Sequence, residues 1–453
     1  MPTTPQIIYP SDTPELYPYQ KSGVKYAVNK RRWIFNDEMG LGKSAEAIIA
    51  ARLLKAERVL IVTPAIVRRN WEKELHTWWP TGPQPGVILL GRKRLTGVSK
   101  EAQKTRDSAY LAPIQIVSFS LIQEVDVAPW DVIIFDESHR LQGVDTVQAK
   151  ICRQIARTNR SAAIFALTAT LMPKRPLDAW TTLDILQPGQ WGRYRGGHWA
   201  PWAFAQHYTL MEHNGYGWVS KGVREENIDE FKQRLSLISS RATKKEFAHL
   251  FPTFLVQSQS VPADVDFKKS VTDWLYDASK SATHIAVLTY LRESVVEFAK
   301  LAGNDLGGTP VFQISGVLTA EKRLETLERA KNAKNAIVVA TMSSVGVGID
   351  MTFCTQVAIV ELYDKPETLI QLLGRFSRLT SVVPSSVTFL VQEGSQDEKI
   401  SWNLVKELEE INKAIKAGDT EGKLVSALNI EMSEEQFAAK LQNIFATARK
   451  SDA

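Results

Sequence analysis

The sequence predicts an α/β protein built from two parallel-sheet lobes with a helical, aromatic-rich protrusion between them. Three observations lead there. Short β-branched apolar runs occur in two separate sets, one in each half of the chain. Such near-continuous runs, rather than alternating ones, mark strands buried on both faces of a parallel sheet. Segments with helical spacing lie between the runs and suit crossover connections. Finally, 453 residues exceed what one ordinary core organises.

In order along the chain, the first set of strands reads RRWIFND (31–37), RVLIVTP (58–64), IQIVSF (114–119), DVIIFDE (131–137) and AAIFALT (162–168). SAEAIIAARLLKA, from Ser44, has the spacing of a crossover helix. Residues 172–255 carry few strand signals, several glycines and many aromatics, and are expected to form the protrusion. FPTFLVQSQSVPADVD (251–266), with two prolines, is the expected hinge. The second set reads HIAVLTY (284–290), TPVFQIS (309–315), AIVVATM (336–342), QVAIVEL (356–362) and SVTFLVQ (386–392), with TAEKRLETLERAKNA as one crossover helix. The expected divisions are a first lobe at 1–171, the protrusion at 172–255, a second lobe at 256–400, and a helical extension at 401–453 broken at AGDTEG.

The composition, 44% hydrophobic and 23% charged, is that of a soluble globular protein. A net charge of +5 and a pI near 8.9 permit an acidic partner such as nucleic acid without identifying one. Cys152 and Cys354 are far apart with no metal-ligand spacing, which argues for a reducing compartment and against a disulfide framework. The N-terminal stretch lacks a basic start followed by an apolar run, so no signal peptide is expected. No apolar run approaches the ~18 residues of a membrane-spanning helix.

Residues 37–44 read D-E-M-G-L-G-K-S, between the strand RRWIF and the helix SAEAIIAARLL. A strict phosphate loop has glycine where Asp37 stands, but the strand–loop–helix context is the one such a loop requires. Gly40 and Gly42 let the backbone approach an anion, and amides at the helix N-terminus favour it. Lys43 would reach the β- and γ-phosphates, and the Ser44 hydroxyl would ligate Mg²⁺. Downstream, D-V-I-I-F-D-E-S-H ends an apolar strand in two adjacent carboxylates. Open α/β sheets bind ligands at that carboxyl edge. Asp136 is placed to hold Mg²⁺, and Glu137 to orient and deprotonate the attacking water. Either element alone has an ordinary structural explanation; together they read as a nucleotide site with ATP and Mg²⁺ as cofactors.

With these motifs in place, the chain resembles the superfamily 2 helicase-like ATPases, and among them the Snf2 family, over about residues 16–400. That family's own loop reads D-E-M-G-L-G-K, which accounts for Asp37. L-Y-P-Y-Q-K-S-G-V resembles its adenine-recognition motif, with Gln20 as the base reader. V-T-P-A-I-V-R-R-N-W-E-K-E-L resembles motif Ia, including Trp71; I-V-S-F-S resembles motif Ib, and L-T-A-T-L-M-P motif III. T-M-S-S-V-G-V-G-I-D is similar to motif V, bringing Gly348 and Asp350, and Q-L-L-G-R-F-S-R to motif VI, bringing Gln371. The resemblance implies two RecA-like lobes closing on ATP, with Arg375 and Arg378 as arginine fingers. It also implies that His139, Thr168 and Thr170 relay the nucleotide state to the nucleic-acid side. The chain departs from the family's usual wording in Ser44, in D-E-S-H, in Ala169, and in L-T-S after Arg378. The last departure weakens a strict chromatin-remodeller assignment and leaves the ATPase assignment intact.

In the protrusion, Trp191, Trp199 and Trp202 interleave with Arg193 and Arg195. Mixed basic and aromatic residues can stack on bases and pair with phosphates. A small aromatic core explains the tryptophans equally simply. Trp71, Trp191, Arg193 and Arg195 are the candidate nucleic-acid contacts. His198, His207 and His213 lack metal spacing and are expected to be structural. The wording P-G-x-W-G-x-Y followed by W-A-F-A looks most like the annealing-helicase branch. A DNA motor on duplex, forked or branched DNA is therefore expected. It would be a monomer without membrane association, cytoplasmic and nucleoid-associated in a prokaryotic or phage-infected cell, or nuclear in a eukaryote. An RNA-directed helicase and an ATP-gated scaffold with little turnover stand as alternatives.

Overall fold

The computed structural model describes residues 7–400 except 93–98, 128, 170, 173–175, 193–199, 214, 216–217, 244–245, 248–253, 346–348, 363–368, 370–371, 374, 377–384 and 398. The chain divides into two compact units. One comprises Met1–Glu38 and Gly42–Ala242; the other comprises Met39–Leu41 and everything from Thr243 onward. The expected helical extension at 401–453 lies outside the described residues.

In the first unit the strands are β1 (Arg32–Phe35), β2 (Val59–Thr63), β3 (Pro85–Val87), β4 (Ile114–Ser118), β5 (Val132–Asp136) and β6 (Ala163–Leu167). Beyond them come β7 (Thr209–His213), β8 (Trp218–Val223) and β9 (Ser239–Ser240). Seven strands form one parallel sheet in the order β3-β4-β2-β5-β6-β1-β9. β2, β4 and β6 are buried at every position, as the unbroken apolar runs require of strands covered on both faces.

The protrusion segment contains the helices Ala200–Tyr208 and Ile228–Ser236 and, between them, the antiparallel pair β7–β8. This hairpin is an addition to the helical expectation. The chain then returns to the main sheet, where Ser239 and Ser240 pair alongside Ile34 and Phe35. Trp180, Leu183, Trp191, Phe204, Tyr208, Phe231 and Ile238 join the same buried cluster as Ile34, Val62, Phe135 and Ile164. The aromatic-rich stretch is thus packed onto the first lobe.

Trp191 sits inside that cluster, 1% exposed, with Phe231 5.6 Å and Phe204 6.2 Å away in edge-to-face contact. Its indole donates to Gln187, and the Arg234 guanidinium lies 4.1 Å from its ring. The expectation that Trp191 stacks on bases is therefore corrected. Its faces are already covered, because edge-to-face aromatic packing leaves a large ring with no exposed surface. Trp191→Ala is expected to destabilise the first lobe by about 3–5 kcal/mol, as for other large-to-small core changes, measured by denaturant unfolding. Arg193, Arg195 and Trp199 lie outside the described residues.

The second unit holds β10 (Phe254–Val261), β11 (His284–Thr289), β12 (Val311–Ile314), β13 (Ala336–Thr341), β14 (Gln356–Ile359) and β15 (Ser385–Gln392). They form a parallel sheet in the order β10-β15-β14-β11-β13-β12. Its core is built around Val287, Phe298, Ile337, Val339, Ala358 and Leu390. The expected hinge at 251–266 is corrected here, since residues 254–261 are an edge strand paired over their whole length with β15. Pro262 stands just past the strand, where a missing amide costs no ladder bond.

Candidate nucleotide site

Three loops leave the first sheet at one level. Phe35 of β1 and Asp136 of β5 both pair with Leu167 of β6, so the segments that follow emerge side by side at the carboxyl edge. Those segments carry Asp37–Ser44, Glu137–His139 and Thr168. Neighbouring parallel strands do this whenever their registers match, and it brings together residues distant in sequence.

The phosphate loop turns on two glycines with positive φ, Gly40 at 85° and Gly42 at 80°, and the helix Lys43–Leu53 starts directly after. Gly42 is required twice over. Its left-handed backbone suits glycine, and a Cβ there would stand 2.6 Å from Gln20 Nε2. Gln20 is buried in the helix Pro18–Lys30 and accepts a hydrogen bond from the Tyr17 amide at 2.9 Å. The structure thereby brings the glutamine against the loop. Gly42→Ala is expected to cost about 1–2 kcal/mol of stability through the left-handed backbone and to weaken nucleotide binding, measured by thermal denaturation and nucleotide titration.

Lys43 donates to the carbonyls of Asp37 at 2.6 Å and Glu38 at 3.0 Å, which closes the loop on itself. Burial lowers its pKa, opposed by the carboxylates of Glu137, Asp37, Asp136 and Glu46. Asp37 serves the scaffold. Its Oδ1 accepts from the Ala242 amide at 2.6 Å, and the Glu38 amide bonds back to the Ala242 carbonyl at 3.0 Å. The loop is thus stitched to the segment just after β9. Next to Asp37, burial and then the negative charge of Asp37 push the Glu46 carboxyl well above its ordinary range. Gly23 makes room for it, since a Cβ there would stand 2.4 Å from Glu46 Oε1.

Asp136 ends β5. Its Oδ2 accepts from Thr63 Oγ1 and from Trp71 Nε1, both at 2.8 Å. Burial, then the adjacent Glu137 charge, raises its pKa. Trp71 is 1% exposed, and its helix, Arg68–Trp78, turns Arg68, Trp71 and Leu75 inward. The expectation of a nucleic-acid contact is corrected for Trp71: a buried indole bonded to Asp136 offers no face to a base. Thr63 is a site residue that the sequence reading missed. Its only signal is that it closes β2 one position beyond the Val62–Phe135 pair, level with Asp136.

Glu137 adopts a left-handed backbone, φ 51° and ψ 49°. Such strain in a non-glycine residue clusters at functional positions. Its carboxylate lies 3.3 Å from His139 Nδ1, and that nitrogen lies 3.2 Å from Thr168 Oγ1. Thr168 is buried, and its amide bonds to the Phe35 carbonyl. The structure therefore joins the DESH segment to the segment after β6. Thr170 lies outside the described residues.

A magnesium–nucleotide complex fits this donor set. Mg²⁺ takes one or two protein oxygens and completes its shell with phosphate and water. Asp136 and Ser44 supply that number, and among the described residues no group of three or more His, Cys, Asp or Glu side chains is arranged to hold a metal ion by itself.

In the second unit, Arg375 is buried, and its carbonyl accepts from the Met351 amide at 3.2 Å, tying it to the segment of Asp350. Asp350 accepts from the Thr352 amide and hydroxyl. Gly348, Gln371 and Arg378 lie outside the described residues.

A family profile described as SNF2-related domain matches residues 19–258, more than half of the chain. The chain belongs to the SNF2-related family. A second profile, helicase conserved C-terminal domain, matches residues 268–380 of this SNF2-related chain. Among curated relatives, it is 26% identical over 437 residues to a Xenopus tropicalis protein, the SWI/SNF-related matrix-associated actin-dependent regulator of chromatin subfamily A-like protein 1. That match covers 86% of this chain and 44% of the relative. The Homo sapiens DNA annealing helicase and endonuclease ZRANB3 is 22% identical over 449 residues, covering 86% of this chain and 39% of the relative. The chain thus spans less than half the length of these relatives. Among solved structures, the Mycobacterium smegmatis helicase Lhr bound to ssDNA and AMP-PNP shares the fold, with a TM-score of 0.54 and 15% identity. That likeness covers 88% of this chain and 48% of the other. Among the described residues, no helix is long and apolar enough to cross a membrane.

Proposed function

We propose that this chain is an ATP-hydrolysing DNA motor acting on duplex or branched DNA, in the manner of branch migration or fork remodelling. One observation supports it above the others: Lys43, Asp136, Glu137, His139 and Thr168 gather at one sheet edge through the shared register of β1, β5 and β6. Lys43 neutralises the β- and γ-phosphates once they replace the loop carbonyls as its partners. Ser44 and Asp136 hold Mg²⁺, which supplies charge neutralisation on the phosphate oxygens. Glu137 orients water and takes its proton. Gln20 reads the base, with Gly40 and Gly42 cradling the phosphates; Gly348, Asp350 and Gln371 are further proposed nucleotide-binding residues.

Arg375 and Arg378 stabilise transition-state charge, a role worth about 10³–10⁵ in rate in related chemistry. His139 and Thr168, one hydrogen bond apart, pass the state of the γ-phosphate from the Glu137 segment toward the segment holding Thr170. The relative named as a DNA annealing helicase supports DNA as the partner. Arg193 and Arg195 are the proposed phosphate contacts in the protrusion, and the chain works as a monomer at nucleoid or nuclear DNA.

Steady-state ATPase activity across single-stranded DNA, linear duplex, forks, four-way junctions and RNA tests the reading. Forks or junctions are expected to stimulate most. Best stimulation by RNA, or none by any nucleic acid, would overturn it.

A further inference from the structure

We infer that Trp71 is a positioning residue for the metal-facing carboxylate, holding Asp136 in one orientation together with Thr63. The inference rests on the reading of the site as an Mg²⁺–ATP site. Two donors from different elements converge on a single oxygen: Thr63 Oγ1 from the end of β2, and Trp71 Nε1 from the helix Arg68–Trp78, each 2.8 Å from Asp136 Oδ2. An indole nitrogen can only donate, so the direction of that bond is fixed and Asp136 must accept it.

Both donors are buried, Thr63 at 0% and Trp71 at 1% exposure, so water does not compete for them. Rotation of the carboxylate would break both bonds at once. Among the described residues no hydrogen bond falls on the other oxygen, Oδ1, which leaves it to a metal or a metal-bound water. An apolar residue at position 71 would fill the same core; the nitrogen is what the carboxylate uses. Loss of a group that orients a metal-binding side chain in this way typically costs about 10–100-fold in metal affinity.

The test separates metal-dependent from metal-independent nucleotide binding. A fluorescent ATP analogue is titrated into the full chain with Mg²⁺ and again with EDTA, for wild type, Trp71→Phe and Thr63→Val, with thermal denaturation of each. Trp71→Phe and Thr63→Val are expected to reduce the gain in affinity that Mg²⁺ confers by about 10–100-fold, while affinity in EDTA is unchanged. Thr63→Val keeps nearly the same shape and carries the test if Trp71→Phe fails to fold. Retention of the full Mg²⁺-dependent gain by the folded variants overturns the inference. So does an equal loss with and without Mg²⁺, which would mark a purely structural role. A wild-type chain showing no Mg²⁺-dependent gain would overturn the ATP reading itself, and with it this inference.

Discussion

Lys43→Ala is expected to lower DNA-stimulated ATP hydrolysis by about 10²–10³-fold, the usual effect of removing one preorganised donor from developing charge. The effect is large because Lys43 is partly buried with the carboxylates of Glu137, Asp37, Asp136 and Glu46 near it, and alanine removes the ammonium from among them. The side chain has a second task. Its bonds to the Asp37 and Glu38 carbonyls close the loop between Gly40 and Gly42. Alanine leaves both acceptors without that donor, at about 1–3 kcal/mol for each one kept from water. Lys43→Met, which keeps the aliphatic stem but no donor, is expected to lose the same activity. Circular dichroism of each variant, with its ATPase rate on forked DNA, checks both statements. A variant retaining near-normal turnover would remove Lys43 from the phosphate site.

Glu137→Gln is expected to lower turnover by about 10²–10⁴-fold, the range of a positioned general base, and to leave nucleotide binding in place. The amide keeps the size and the polar contact to His139 but cannot accept a proton from water. The left-handed backbone at φ 51° stays as it is, so the melting temperature is expected to remain close to wild type. Nucleotide titration and single-turnover hydrolysis together separate the two effects. Near-normal turnover in the glutamine variant would assign the base elsewhere.

The two sheets were legible because parallel strands covered on both faces are largely apolar: VLIVT, IQIVS and AIFAL are buried at every position. Their crossover helices followed from spacing. Edge elements gave no such signal. β3 is Pro85-Gly86-Val87 and β9 is two serines, each specified by the neighbour it pairs with rather than by its own residues. β10 carries a polar run, Gln257 to Ser260, and is flanked by Pro252 and Pro262, which reads as a connection until the pairing with β15 is seen. The β7–β8 hairpin did leave a mark, the Asn214–Gly215 pair between its strands, a turn signal the aromatic content obscured.

The site was legible where its residues are contiguous, in Asp37–Ser44 and Asp136–His139. It was not legible where a side chain's direction decides its role. Trp71 carries the motif, but only the inward face of Arg68, Trp71 and Leu75 shows that it turns toward Asp136.

The central claim is that hydrolysis at this site moves DNA. The most direct measurement follows strand exchange in a labelled four-way junction with ATP, with a non-hydrolysable analogue, and with ATP and the Glu137→Gln variant. The account predicts branch migration only for the wild-type chain with ATP. Equal movement in all three reactions, or DNA-stimulated hydrolysis with no movement of the junction, would contradict it.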